Sequence, residues 1–165
     1  MENQKPSFPA FVIDPQPKVW WPVQVRVPAQ GGRFEIHQFS ALIRVLSEDE
    51  FDELGSTAKK LPQDEAVDAK AAAVRRPMKE ILAENADLFA KVVFDWGEEV
   101  RDAKGEVVPF SQETLAAQVK GPFGGPLSAG LWTAINEVRV GARLGNYEVP
   151  PATGLDSPAE AAPTK

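Results

Sequence analysis

Between Val19 and Val27 apolar and polar positions take turns along the chain. Val19, Trp21, Val23, Val25 and Val27 share one parity, and Trp20, Pro22, Gln24 and Arg26 share the other. That period of two, carried by β-branched residues, predicts a half-buried strand. Pro22 lacks a backbone N–H, so the strand belongs at a sheet edge. Pro28-Ala29-Gln30-Gly31-Gly32 supplies a turn, because glycine reaches positive φ without a Cβ clash. Past it, Phe34 and Ile36 alternate on one parity and Phe39, Ala41, Ile43 and Val45 on the other. One extra residue at His37-Gln38 reconciles the two as a β-bulge. A helix from Phe39 is the rival, since Phe39, Leu42, Ile43 and Leu46 also fit a helical stripe. The strand reading is preferred.

Helical periods follow. Ser47-Glu48-Asp49-Glu50 has the spacing of a capping box, which starts a short helix with Phe51 and Leu54 facing in and Gly55 as its stop. Asp64 caps an alanine-rich helix running to Arg75, and Pro77 kinks or restarts it. Met78, Ile81, Leu82, Leu88, Phe89, Val92, Val93 and Trp96 form one stripe of a single helix, interrupted by Asn85. Asp102-Ala103-Lys104-Gly105 is a turn, from which Val107, Val108 and Phe110 return to the core. Ser111 is a helix N-cap, with Glu113 in the first turn and Leu115 and Val119 facing in. Gly124-Gly125-Pro126 reads as a break before a last helix with Leu127, Leu131, Ala134, Ile135, Val138 and Ala142 on its apolar side. Leu144-Gly145-Asn146 ends that helix.

The fold class expected is α+β, mostly α. A small antiparallel hairpin over 19–46 precedes about four to five helices over 47–146. Residues 1–18 are an extended arm rich in proline (Pro6, Pro9, Pro15, Pro17), with Phe8, Phe11, Val12 and Ile13 available to dock on the core or a partner and a mobile arm as the competing reading. Residues 147–165 show no period and are expected to be disordered.

Composition narrows the function. The chain has 165 residues, a net charge of −6 and no cysteine. An acidic surface disfavours nucleic acid and anionic lipid as partners. The absence of cysteine excludes disulfides and thiolate metal sites. No run is long and apolar enough for a membrane span, and the first residues lack the plan of a signal peptide. The default compartment is the cytoplasm of the cell that makes it.

Candidate chemistry is sparse. His37 is the one histidine, and a metal site needs further ligands. Asp95, Glu98, Glu99 and Asp102 would coordinate Mg²⁺ if they converged, but at a helix end and turn they read as a solvated group. Gly121 to Gly125 lacks the Lys-Ser/Thr of a phosphate loop. Arg75-Arg76 and Arg139 with Arg143 are too sparse for a nucleic-acid stripe. No catalytic residue, cofactor or metal ligand is assigned. The tryptophans carry more information. Trp20 and Trp21 are adjacent on a strand and face opposite ways, and Trp132 lies off the centre of its stripe. Trp20, Trp21, Trp96, Phe110 and Trp132 are the candidate partner-binding residues, with simple burial as the competing reading.

The order of these landmarks resembles the tail assembly chaperones of long-tailed bacteriophages. It is carried by V-Q-V-R-V-P-A-Q-G-G-R-F-E-I-H-Q-F-S-A-L-I-R-V-L-S-E-D-E-F, then V-V-F-D-W, then G-E-V-V-P-F-S-Q-E-T-L, then the last helix and Arg143-Leu144-Gly145-Asn146. The resemblance spans about residues 19 to 146, and Gly124-Gly125-Pro126 is looser than the family pattern. In relatives a residue like Trp96 closes one helix, and Pro109, Phe110 and Ser111 open the next. The resemblance implies a non-catalytic role in the host cytoplasm. Such proteins coat the apolar tape measure protein, keep it soluble, recruit tail tube subunits, and are absent from the mature virion. Whether the chain self-associates is left open. The alternative is a permanent structural tail protein, a tube or connector subunit joined to its neighbours by strand addition.

Overall fold

The computed structural model describes residues 9–58 and 76–141, the side chains of 56–58 excepted. Its elements run β1 (Lys18–Ala29), a 3-10 turn (Gln30–Gly32), β2 (Arg33–Arg44), α1 (Glu48–Ala58), α2 (Met78–Phe89), β3 (Val93–Trp96), α3 (Gln112–Val119) and α4 (Gly124–Val140). The strands form one antiparallel sheet in the order β1-β2-β3. The class is α+β, as the pattern of the chain implies. The alanine-rich helix expected over 64–75, the segment after 141 and residues 1–8 lie outside the described residues.

The alternating valines place the sheet. Val23 and Val25 of β1 and Ala41 and Ile43 of β2 are buried on one face, against Leu131, Ala134, Ile135 and Val138 of α4 and Phe89 of α2. Full burial of a side chain such as Phe89 or Ile43 contributes about 1.5–3 kcal/mol before chain entropy is subtracted. α4 packs chiefly on β1, the edge strand. Gly130 lets it come close: a Cβ there would lie 2.3 Å from the Gln24 carbonyl oxygen. That oxygen points away from β2, so even-numbered residues of β1 direct their backbone groups to the open edge. Pro22 and Pro28 have the same parity. Their missing N–H groups therefore cost the ladder nothing.

β2 runs unbroken from Arg33 to Arg44, and each residue has a partner on β1. The bulge expected at His37-Gln38 is not there. Phe34 and Ile36 need no phase correction because they occupy the opposite face from Phe39, Ala41 and Ile43, where they are 56% and 68% exposed. The strand is apolar on both sides, and a one-sided pattern was the wrong premise.

A second correction concerns residues 78–96, expected as one helix. α2 stops at Phe89, a turn follows, and Val93–Trp96 is β3. It pairs with the far side of β2, Ile43 opposite Val93 and Ala41 opposite Trp96, with a register shift between Leu42 and Ile43. That irregularity sets Phe94 and Asp95 against Leu42 and leaves the inward-facing Val93 and Trp96 three residues apart. A three-residue spacing also fits a helix, which is why the pattern extended the stripe too far. Within α2, Asn85 is buried and Met78 is exposed, the reverse of what the stripe implies.

The capping signals hold. The Ser47 amide donates to Glu50 Oε2 at 2.9 Å and the Glu50 amide to Ser47 Oγ at 3.2 Å. Ser111 Oγ accepts from the Thr114 amide at 3.0 Å and caps α3. Gly55 does not end α1, which continues to Ala58; its backbone is not called on for a positive φ, so nothing there stops the helix. Gly124 and Gly125 are not a break but the first turn of α4. A Cβ on Gly124 would lie 1.9 Å from the Val119 carbonyl oxygen, so glycine is what lets α4 start hard against the end of α3. α4 closes earlier than expected, at Gly141 with φ 67°.

Candidate partner interface

The outward face of the sheet is built by parity. Trp20 stands opposite Leu42, and Leu42 opposite Asp95 with Phe94 in the irregular step beside it. Toward the hairpin tip Arg26 stands opposite Ile36, and Pro28 opposite Phe34. Trp20 is 52% exposed and Phe94 39%, so the face carries apolar side chains at the base of the hairpin and, with Phe34 and Ile36, again at its tip. Polar side chains punctuate it: Gln24 Nε2 donates to Gln38 Oε1 at 3.2 Å. Cations sit on the rings, Lys18 Nζ 4.2 Å from the centre of Phe94 and the Arg26 guanidinium 4.4 Å from that of Phe34. Exposed apolar side chains gathered on one face are a feature of partner surfaces.

The other tryptophans are committed inside. Trp21 points inward and donates Nε1–H to Glu137 Oε2 of α4 at 2.7 Å. Trp96 is only 7% exposed, donates to the Val108 carbonyl at 2.7 Å and meets Phe110 edge-on with ring centres 5.1 Å apart. Trp132 donates to Asn85 Oδ1 at 3.3 Å and packs edge-on against Phe89 and Phe51. Asn85 therefore interrupts its stripe because an indole needs an acceptor there. Of the five candidates, Trp20 alone presents most of its ring outward; Trp21, Trp96, Phe110 and Trp132 hold elements together. Phe94 and Leu42 were missed. Leu42 shares with Phe34 and Ile36 the second apolar parity of β2, which is visible in the chain once both faces of a strand are allowed to be apolar; Phe94 lies in a stretch whose spacing predicts a helix.

A second concavity lies on the inner side, between the outer half of the hairpin and the α3–α4 corner. It encloses about 340 Å³ and is lined by Val25, Val27, Phe39, Leu115, Phe123 and Leu127 among others. A shallow depression beside Trp20 is bordered by Ser40, Gly97 and Glu99. There Ser40 Oγ donates to Glu99 Oε1 at 3.0 Å. The Glu99 carboxyl is held below its ordinary value, first by its own backbone amide and then by Ser40.

The acidic residues near this turn do not converge. Asp95 accepts from the Trp96 amide, Asp102 Oδ1 from the Lys104 and Glu106 amides, and Glu99 from Ser40. Asp95 and Asp102 organise their own stretches of backbone, and Glu99 ties the turn to β2. His37 is exposed, 3.4 Å from Glu35 Oε2. Among the described residues no group of three or more His, Cys, Asp and Glu could hold a metal ion, and no helix is long and apolar enough to cross a membrane. Of the basic candidates, Arg76 pairs with Glu84, and Arg139 reaches Glu48 at 2.6 Å while lying over Phe51; Arg75 and Arg143 lie outside the described residues. Comparison with protein-family profiles, with characterised sequences and with solved structures gives no match.

Proposed function

We propose that this chain is a tail assembly chaperone of a long-tailed bacteriophage, which holds the tape measure protein on its outward sheet face and brings tail tube subunits to it in the host cytoplasm. The observation that carries the reading is the apolar set Trp20, Leu42, Phe94, Phe34 and Ile36 on a sheet whose other face is anchored by the core. A rigid apolar face of this kind shields an apolar segment that would otherwise aggregate. The order of sequence landmarks supplies the identity of that segment.

Co-expression tests it. A fragment of the tape measure protein from the same phage is expected to stay soluble with this chain and to co-purify. With Trp20→Ser the complex should weaken by about 2 kcal/mol, roughly thirtyfold in Kd. A fragment that precipitates equally with and without the chain sinks the proposal. Abundance of the chain in purified mature particles would make it a permanent tail subunit instead.

A further inference from the structure

We propose that the outward sheet face takes an amphipathic α-helix with carboxylates near both of its ends, laid along the strand direction, and that Lys18 and Arg26 receive those carboxylates. The inference rests on reading this face as the partner surface, and it names the chemistry of what binds.

The argument is one of charge. The chain carries −6 overall, yet no Asp or Glu occupies an outward position of β1 or β2. Arg44, at the base, is neutralised by Glu50 at 3.3 Å. Lys18 and Arg26 are ion-paired with nothing among the described residues. Each is held over an aromatic ring, which fixes the cation beside the apolar side chains and leaves its far side open. Carboxylates gather instead on the β3 flank, at Asp95 and Glu99. The face thus carries one cation at each end, the Lys18 ammonium reaching across to Phe94 of β3 and the Arg26 guanidinium lying over Phe34 of β2, and an anionic ligand meets positive charge at both ends.

Spacing gives the length. Lys18 and Arg26 are eight residues apart on β1, about 27 Å at ~3.4 Å per residue. A helix rising 1.5 Å per residue covers that in about 18 residues, or five turns. Strand addition is disfavoured, because the open edge of β1 lacks donors at Pro22 and Pro28 and is backed at Gln24 by α4. On β3 the Gln112 side chain occupies the Val93 carbonyl at 3.1 Å. A second copy is disfavoured too, since two such faces packed about a twofold axis would set Lys18 against Arg26 of the mate. Phe11, Val12 and Ile13 of the preceding arm are not the occupant: they are 92%, 76% and 88% exposed.

The test uses the full chain and two synthetic helical peptides of about 20 residues. Both carry a leucine-alanine face; one has glutamates at each end and the other lysines. Calorimetry should show the glutamate peptide binding at least about tenfold tighter at low salt, with the gap closing as ionic strength rises from about 0.05 to 0.5 M. Lys18→Glu with Arg26→Glu should reverse the preference, and its circular dichroism should match the parent, since both side chains project outward; the loss of the two ring contacts lowers the thermal midpoint only slightly. Equal binding of the two peptides, or an unreversed preference, overturns the inference. So does binding that survives charge reversal but is lost in Phe123→Ser, which would move the site to the inner concavity. Tape measure fragments kept soluble by the charge-reversed chain would overturn it while leaving the chaperone reading intact. A glutamate preference alongside failed tape measure rescue would do the opposite.

Discussion

Gly130→Ala should destabilise the domain even though alanine is the better helix former. The added Cβ would stand 2.3 Å from the Gln24 carbonyl oxygen, 3.2 Å from its carbon and 3.3 Å from Val23 Cγ1. An ordinary carbon–oxygen approach is about 3.3 Å, so α4 must withdraw from β1 by ~1 Å. The obstacle is backbone, which cannot rotate away as a long side chain does. Withdrawal by that distance forfeits about a quarter to a half of the dispersion well at each contact, and α4 packs chiefly on β1, with Leu131, Ala134 and Ile135 in the same core cluster as Val23 and Val25. Overpacking of this kind costs about 1–3 kcal/mol, and a backbone collision belongs at the upper end. The gain in helix propensity returns about 1 kcal/mol. The net loss is about 2 kcal/mol, or roughly 4–8 °C in Tm for a chain of this size. Urea unfolding followed by tryptophan fluorescence reads it as a lower midpoint with an unchanged slope. Gly125→Ala is the control in the same helix: nothing lies within 4 Å of its Cβ position, so it should be neutral or stabilising by up to ~1 kcal/mol. A Gly130→Ala variant as stable as the parent would refute the close approach of α4 to β1.

Local chemistry makes further predictions. Ser47→Ala should cost about 1 kcal/mol in the same unfolding assay, by loss of the cap on α1. Glu50 is held below its ordinary value by the Ser47 amide first and by Arg44 and the Ser47 hydroxyl after it. A depressed carboxyl stabilises above its unfolded pKa of ~4.3 and loses that contribution as pH falls through the folded value. Glu50→Gln should therefore flatten the acid limb of a stability–pH profile, and an unchanged limb would show that the box does not form. Trp96→Phe removes the donor to the Val108 carbonyl and should cost about 1–3 kcal/mol. That exceeds the effect of Trp132→Phe, whose bond to Asn85 is longer at 3.3 Å; thermal melts that rank the two the other way would contradict the assignment. Trp20→Ser should leave stability within about 0.5 kcal/mol, and a large loss would mean the ring is packed rather than presented.

Features held within a few residues were legible in the chain alone. Ser47 with Glu50, Ser111, the Asp102–Gly105 turn and the alternating valines around an edge proline each depend on neighbours one to four positions away. Such short-range geometry is written directly in residue type and spacing. Tertiary structure decided the rest. Val93–Trp96 became a strand because β2, some fifty positions earlier, offered a free row of backbone groups; its irregular step copied a helical spacing that no local rule could tell apart. The glycines before Pro126 became the start of a helix because another helix end had to touch it there. Which indoles face inward was settled by distant acceptors, Glu137 for Trp21 and Asn85 for Trp132, and what remained outside was Trp20. A side chain's own chemistry says that it will be buried or will adhere, and only the long-range pairing of the chain says which.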